Sequence, residues 1–182
     1  MIMTFHDYRL EAVYLTVGDA QREEIIRFWR EQRAVLNPRE AERRGRETVF
    51  MVHNGAGELA GLSSVGLKRL LDENWLYYYA YRMFLRQLDR TPYLMRAVTN
   101  ATRDFLRNFD HPQVRPAGML IVTENRKLMR AGIRRYFERH GYRYRGRTRK
   151  GLDLWVAEFT NTLSVNAHES PEALRSDQDE NR

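Results

Sequence analysis

The strongest structural signal in this sequence is an eleven-residue run of mostly aromatic and apolar residues at positions 75–85, WLYYYAYRMFL. Aromatic residues are enriched in strands, and the run contains no glycine or proline that would interrupt one. A strand this apolar is typical of the interior of a sheet, so the run predicts a central strand. Because side chains alternate along a strand, we expect Tyr77, Tyr79 and Tyr81 on one face and Tyr78 on the other.

The remaining elements follow from hydrophobic spacing, helix caps and turn residues. Thr91-Pro92 has the sequence of an N-cap followed by proline in the first helical turn. The sequence NGAG at 54–57 is typical of a hairpin turn. Periodicity predicts helices at 20–36, 39–47, 91–109 and 125–140, and further strands at 11–17, 48–53, 59–67, 117–123, 142–148 and 152–159. The resulting order, β-α-α-β-β-β-α-β-α-β-β, describes an α/β (α+β) chain.

Composition excludes several classes of protein. A chain of 182 residues with 42% apolar and 12% aromatic residues is long and apolar enough to bury a core. No apolar stretch approaches the roughly 20 residues of a membrane helix, and the N-terminus lacks the pattern of a secretory signal. The absence of cysteine excludes disulfides and thiol nucleophiles, and the five histidines show no metal-ligand spacing. We therefore expect a cytoplasmic protein without a metal site or a membrane span.

Charge is distributed unevenly along the chain. The full chain carries +7, but residues 160–182 hold five acidic and two basic residues, so residues 1–159 carry +10. We interpret residues 1–159 as a single domain and 160–182 as an acidic tail that is too polar to fold. The segment that begins with Arg126 and ends with Lys150 contains eleven basic residues and one acid. Within it the arginines at 143, 145, 147 and 149 alternate, which predicts a row on one strand face for an acidic partner, either nucleic acid or an acyl carrier protein.

Two local stretches, together with the element order, resemble the GCN5-related N-acetyltransferase (GNAT) superfamily over about 150 residues. Arg90-Thr-Pro-Tyr-Leu-Met-Arg-Ala-Val lies where the family has its (Q/R)-x-x-G-x-G/A pattern, although Tyr93 and Met95 replace both glycines. The segment LIVTEN ending at Asn125, followed by a helix and then FERHGY, is similar to the ending of the family domain. The resemblance implies a mixed, mostly antiparallel sheet with helices on both faces. It also implies an opening between the strands at 75–85 and 117–123.

The resemblance further implies an acyl-thioester donor, which is acetyl-CoA, a longer acyl-CoA or an acyl-carrier phosphopantetheine. In the family the diphosphate binds at the start of the helix after the central strand, where glycines admit it to backbone amides. The corresponding positions here are Leu85, Arg86, Arg90, Thr91, Tyr93 and Asn125. Without the glycines, the attraction of the helix N-terminus and the arginines remains, but the tight turn is lost.

Candidate catalytic residues follow from the same comparison. Many family members protonate the departing thiolate with a tyrosine where this chain has Phe137, which has no proton to donate. The adjacent Tyr136 is the candidate substitute, or else a core aromatic. Tyr79 is a candidate on the central strand, as a pocket wall or as a core residue. Glu124 is the candidate carboxylate that accepts the proton of the amine, or else a surface acid at a helix start.

Two hypotheses therefore stand, with an intermediate one between them, an acyltransferase whose donor is an acyl carrier protein or whose acceptor is a charged tRNA. The first is an N-acyltransferase in which an amine attacks the thioester directly. The second is a GNAT-like binding module that no longer uses acetyl-CoA and holds nucleic acid or an acidic protein on the basic segment. The replaced glycines favour the second hypothesis, whereas Arg90 and the capped helix favour the first. The acceptor amine is left open.

Overall fold

The computed structural model describes residues 1–70, 76–124 and 129–159. The predicted tail at 160–182, Trp75 and Asn125 lie outside these residues. The helices are α1 (Asp19–Glu31), α2 (Pro38–Arg46), α3 (Pro92–Arg107) and α4 (Ala131–Arg139), with a 3₁₀ turn at Gln87–Asp89. The strands are β1 (Ile2–Phe5), β2 (Tyr8–Ala12), β3 (Thr48–His53), β4 (Leu59–Arg69), β5 (Tyr77–Leu85), β6 (Gly118–Val122), β7 (Arg143–Arg147) and β8 (Asp153–Glu158). In the described part of the chain, no helix has the length and apolarity needed to cross a membrane.

The strands form one eight-stranded sheet in the order β1-β2-β3-β4-β5-β6-β8-β7. Every neighbouring pair is antiparallel except β5 and β6, which are parallel. A parallel pair needs a crossover connection, and α3 supplies it between β5 and β6. The predicted mixed, mostly antiparallel sheet is therefore confirmed.

Helices cover both faces of this sheet, as expected. On one face, which we call the α3/α4 face, Leu94 and Val98 of α3 pack with Tyr79 and Tyr81, and Phe137 of α4 packs there as well. On the other, the α1/α2 face, helical side chains pack with β3 and β4; these include Ile25, Phe28, Trp29 and Ala41. Tyr78 and Ala80 belong to a separate cluster that contains no residue of a helix. The alternation predicted for the tyrosines of β5 is thus confirmed.

Several element boundaries differ from the predictions, most of all those of the first predicted strand and of the first and last helices. The strand expected at 11–17 ends at Ala12, and Leu15 has a positive φ of 58°, which a strand does not allow. The N-terminus instead forms an additional hairpin, β1–β2, around His6, which has a φ of 50°. The helix expected to reach residue 36 ends at Glu31, because Arg33 adopts a φ of 51°. The final helix begins at Ala131, later than the predicted residue 125.

Candidate functional site

The parallel strands β5 and β6 separate before β5 ends. Their pairing runs from Tyr78 opposite Gly118 to Tyr81 opposite Ile121. Beyond that point β5 continues to Leu85 paired with β4, while Val122 pairs with β8. Residues 82–85 therefore have no pairing partner on the side of β6 among the described residues. The predicted opening between these two strands is confirmed.

A cavity of about 710 Å³ lies beside this opening on the α1/α2 face. Its floor is apolar and comes from three strands, with Ala80 of β5, Leu120 and Val122 of β6 and Leu154 of β8. Its remaining lining is Lys68, Arg69, Leu70, Tyr81, Arg82, Glu124, Thr148, Arg149, Lys150 and Leu152. A volume in this range suits a small-molecule ligand.

Basic side chains dominate the polar part of the cavity. Among the residues that the structure describes, Glu124 is the one acid that lines it, against two lysines and three arginines. The guanidinium of Arg69 lies over the ring of Tyr77, 5.7 Å from its centre. In the described part of the chain, Lys68, Arg82, Arg149 and Lys150 make no ion pair. The cavity therefore has an excess of positive charge with an apolar floor.

The described members of the predicted donor-binding set, Leu85, Arg86, Arg90, Thr91 and Tyr93, lie between the end of β5 and the first turn of α3. Thr91 is the N-cap of α3, as predicted, and its hydroxyl accepts a hydrogen bond from the amide of Leu94 at 3.2 Å. Pro92 has no amide hydrogen to offer. The side chain of Tyr93, at the first family glycine position, is exposed. The start of α3 therefore offers a ligand fewer amide donors than a glycine-rich turn would.

The arginines beside this turn are engaged within the protein. Arg90 donates from Nη2 to the carbonyl oxygen of Leu85 at 2.9 Å, and its guanidinium lies over the ring of Phe84. Arg86 donates from Nε to the buried carboxylate of Asp89 at 2.6 Å and also pairs with Glu58. Hydrogen bonding to Asp89 raises the pKa of Arg86. Both arginines lie between β5 and α3, but Arg86 is paired with carboxylates and Arg90 is hydrogen-bonded back to β5.

Glu124 lies two residues after the end of β6 and is exposed at the cavity, which brings it to the opening. Its backbone amide donates to the carbonyl oxygen of Val122 at 2.9 Å, and this bond orients the chain as it leaves the strand. Of the predicted catalytic residues, Glu124 is the one that lines the cavity.

Tyr136 and Phe137 point in different directions from α4. Phe137 is buried and stacks on Trp155, with ring centres 5.1 Å apart. Tyr136 is half-buried and packs on the ring of His140 at 4.0 Å. Burial raises the pKa of the Tyr136 hydroxyl, and the charges of two arginines of α3 partly oppose that rise. Tyr136 thus lies on the α3/α4 face, across the sheet from the cavity.

Tyr79 is a core residue. Its side chain is fully buried on the α3/α4 face, with its ring about 6 Å from those of Tyr14, His111 and Phe159. Its hydroxyl has no hydrogen-bond partner in the described residues, and burial raises its pKa. Because this ring is on the α3/α4 face and the cavity is on the α1/α2 face, Tyr79 does not line the cavity. Of the two roles that the sequence left open for Tyr79, pocket wall or core residue, the structure shows the core residue.

The predicted row of arginines on β7 is wrong. The register between β7 and β8 shifts between Tyr144 and Arg147, next to Gly146, which has a φ of 98°. This bulge inserts one extra residue and reverses the alternation, so Arg147 lies on the face of Tyr144 rather than of Arg143. Its Nε donates at 3.3 Å to the fully buried carboxylate of Asp153. A bulge depends on the partner strand, so alternation within β7 could not reveal it.

Asp153, the first residue of β8, lies next to the opening and accepts hydrogen bonds from neighbouring elements. Arg134 of α4 donates to its Oδ2 from Nη2 at 2.8 Å and from Nε at 3.1 Å. The hydroxyl and amide of Thr123 both donate to the backbone carbonyl of Asp153. These contacts tie α4, β6 and β8 together on the α3/α4 face, and none of them was anticipated from the sequence.

Arg82 is the cavity residue that the sequence reasoning missed. It is the one charged side chain in the aromatic run, and an ionic group in an otherwise apolar strand is the signal that could have identified it. Its position directly after the last β5–β6 pair depends on the register, which the sequence does not display. Lys68 and Lys150 join it at the cavity from β4 and from the β7–β8 turn.

Solved structures with the same fold were found by comparison. A GNAT-family acetyltransferase from Streptococcus pneumoniae superposes with a TM-score of 0.55 at 9% identity, over 83% of this chain and 99% of that chain. The ribosomal-protein-S5-alanine acetyltransferase from Vibrio fischeri superposes with a TM-score of 0.54 at 12% identity, over 86% of this chain and 94% of that chain. No family model and no curated protein matches the sequence. The chain therefore has the fold of the GNAT superfamily.

Proposed function

We propose that this protein is an N-acyltransferase that moves an acyl group from a pantetheine thioester to an amine. The observation that supports this most strongly is the separation of β5 from β6 after Tyr81 and Ile121, with a cavity on one face and the start of α3 next to the end of β5. Unpaired strand edges bind extended chains through backbone hydrogen bonds. The amide-containing pantetheine arm is such a chain, and residues 82–85 provide the edge.

The reaction is direct attack by the amine on the thioester. The amine nitrogen forms a bond to the carbonyl carbon, the carbon–sulfur bond breaks, and the sulfur leaves as a thiolate. Backbone amides of residues 82–85 polarise the carbonyl oxygen. Glu124 accepts the proton released by the amine, because it is the one carboxylate that lines the cavity among residues 1–70, 76–124 and 129–159. The thiolate departs on the side of the opening opposite the cavity, and Tyr136 on the α3/α4 face is the residue assigned to protonate it.

The donor is held mainly through its pantetheine arm. Thr91 and Pro92 leave few free amides at the start of α3, and Arg86 and Arg90 are engaged within the protein. A diphosphate therefore makes fewer hydrogen bonds to backbone amides here than at a glycine-rich turn, so it adds less to the affinity for the donor. This arrangement suits a phosphopantetheine thioester of a carrier protein as well as an acyl-CoA.

The test of this function is amine-dependent release of thiol from acetyl-CoA and from S-acetylpantetheine, measured with a thiol reagent. Glu124→Gln should lower kcat by about 100-fold or more, as expected for loss of a general base. Glu138→Gln is the matched control, since Glu138 is exposed on α4 and makes no ion pair among the described residues. Tyr136→Phe should lower kcat with little change in KM. Absence of thiol release with every amine tested, or unchanged kcat in Glu124→Gln, would contradict the proposal.

A binding function for the basic segment is the second candidate. Arg130, Arg135, Arg139 and Arg143 are exposed and make no ion pair within the described residues. Clustered arginines of this kind bind phosphates. Binding of a short RNA or of an acidic carrier protein should weaken steeply with salt, and replacing Arg135 and Arg139 with glutamine should reduce the salt dependence by about two contacts. Equal salt dependence of the variant would exclude this surface.

A further inference from the structure

We propose that the acceptor amine carries a carboxylate or phosphate group, and that Arg82 binds this group inside the cavity. This inference rests on the proposed acyl transfer and names the class of acceptor. The ligand is a small amphiphilic molecule with an apolar part, an anionic group and a primary amine.

Arg82 is the side chain on which the inference depends. It is half-buried, lines the cavity and has no ion-pair partner in the described part of the chain. A guanidinium stays charged at any physiological pH, and holding one partly out of water without a counterion is unfavourable. Its planar fork matches the oxygens of a carboxylate or phosphate in two parallel hydrogen bonds. An anionic ligand would supply the missing partner.

The surroundings of Arg82 define the rest of the ligand. Ala80, Leu120, Val122 and Leu154 form an apolar floor, which favours a hydrocarbon or aromatic group. Lys68, Arg149 and Lys150 line the same cavity and repel a ligand with net positive charge. Glu124, the one acid among the described lining residues, then attracts the amine of a ligand whose anionic group is on Arg82.

The position of the cavity assigns it to the acceptor rather than to the donor. Arg82 and Ala80 are two residues apart on β5, so both face the α1/α2 side of the sheet. The start of α3, where the phosphates of a donor would approach, belongs to an element packed on the opposite face. An anion in the cavity is therefore separate from the phosphates of the donor.

The first experiment measures binding without any donor. Isothermal titration compares 3-phenylpropanoate and 2-phenylethyl phosphate with the neutral 3-phenylpropanamide, which keeps the apolar part. The anionic probes should bind at least tenfold more tightly, and comparing them distinguishes a carboxylate from a phosphate ligand. Arg82→Gln should weaken anion binding by about tenfold to 150-fold, the range for loss of a charge-assisted hydrogen bond. Arg82→Lys, which keeps the charge but not the fork, should give an intermediate affinity.

Arg107→Gln is the matched control, because it removes the same charge from an exposed position at the end of α3. It should leave anion binding unchanged, and thermal unfolding should show that both glutamine variants are folded. Equal binding of the charged and neutral probes, or unchanged binding in Arg82→Gln, would overturn the proposal.

The second experiment measures acyl transfer to phenylalanine and to phenylalaninamide. Phenylalanine should have the lower KM, and Arg82→Gln should raise that KM by at least tenfold without a matching change for the amide. Equal transfer to both amines would overturn the acceptor assignment but leave acyl transfer intact. Arg82-dependent anion binding without transfer to any amine would instead overturn both the proposed function and the acceptor role, and would leave a binding cavity for anions.

Discussion

The hydroxyl of Thr91 accepts a hydrogen bond from the amide of Leu94, so the first turn of α3 is capped by its own N-terminal side chain. The same bond removes an amide that a ligand phosphate could have used. Pro92 in the first turn fixes the backbone in a helical conformation. This terminus therefore holds the start of the β5–β6 crossover in place. The bond that stabilises α3 is therefore also the one that limits the amides free at its N-terminus.

Replacing Thr91 with alanine should destabilise the protein by about 1 kcal/mol, because the amide of Leu94 loses its partner. Thr91→Ser keeps the hydroxyl and should stay within about 0.5 kcal/mol of the original protein. The free energy of unfolding in urea measures both effects. Equal destabilisation by alanine and serine would show that the methyl group, rather than the cap, contributes the stability.

Arg134 should contribute more to stability than Arg147, although both bind the buried carboxylate of Asp153. Arg134 makes two hydrogen bonds to it and its side chain is 37% exposed, whereas Arg147 makes one longer bond and is 59% exposed. We expect about 1–3 kcal/mol for Arg134→Gln and less than about 1 kcal/mol for Arg147→Gln. The exposed Arg135→Gln serves as the control, and chemical denaturation gives all three values. The reverse order would contradict this interpretation of the network.

Two glycine substitutions should change the stability of the protein in opposite directions. A Cβ on Gly118 of β6 would overlap the carbonyl oxygen of Ala157 on β8, so Gly118→Ala should cost about 3 kcal/mol, near the upper end for overpacking. A Cβ on Gly132 of α4 meets no atom within 4 Å, so Gly132→Ala should stabilise the protein by about 0.5–1 kcal/mol. Thermal unfolding of the two variants checks both signs. A tolerated Gly118→Ala would mean that β6 and β8 are not paired in this register.

Acidification should destabilise the protein through His111. This ring is buried near Tyr14, Tyr79 and Phe109, and burial lowers the pKa of His111 below the ordinary 6.5. The unfolded chain then binds a proton at higher pH than the folded protein, so stability falls as pH drops below about 6.5. The free energy of unfolding, measured in urea, should fall less between about pH 7.5 and pH 5.5 in His111→Gln than in the original protein. The exposed His6→Gln should retain the full loss, and an identical pH dependence in all three proteins would exclude His111 as the cause.

Much of the fold could be predicted because its causes are local. The alternation that separates Tyr78 from Tyr79, the cap at Thr91 and the hairpin after Asn54 each depend on a few neighbouring residues. The order of elements, with its resemblance to a known superfamily, then limited the sheet to one arrangement. For the same reason a carboxylate could be expected near the opening, and Glu124 lies two residues after β6 ends.

The site itself depended on contacts that join distant parts of the chain. The sequence alone determined that Arg82 is a charge in an apolar strand, but the register of β5 with β6 placed it beside the opening and facing a cavity. Likewise, the alternating arginines of β7 predicted one row, and a bulge against β8 turned Arg147 toward Asp153. Register and bulges are set by the partner strand and the packing around it, so they are decided only when the whole sheet has assembled.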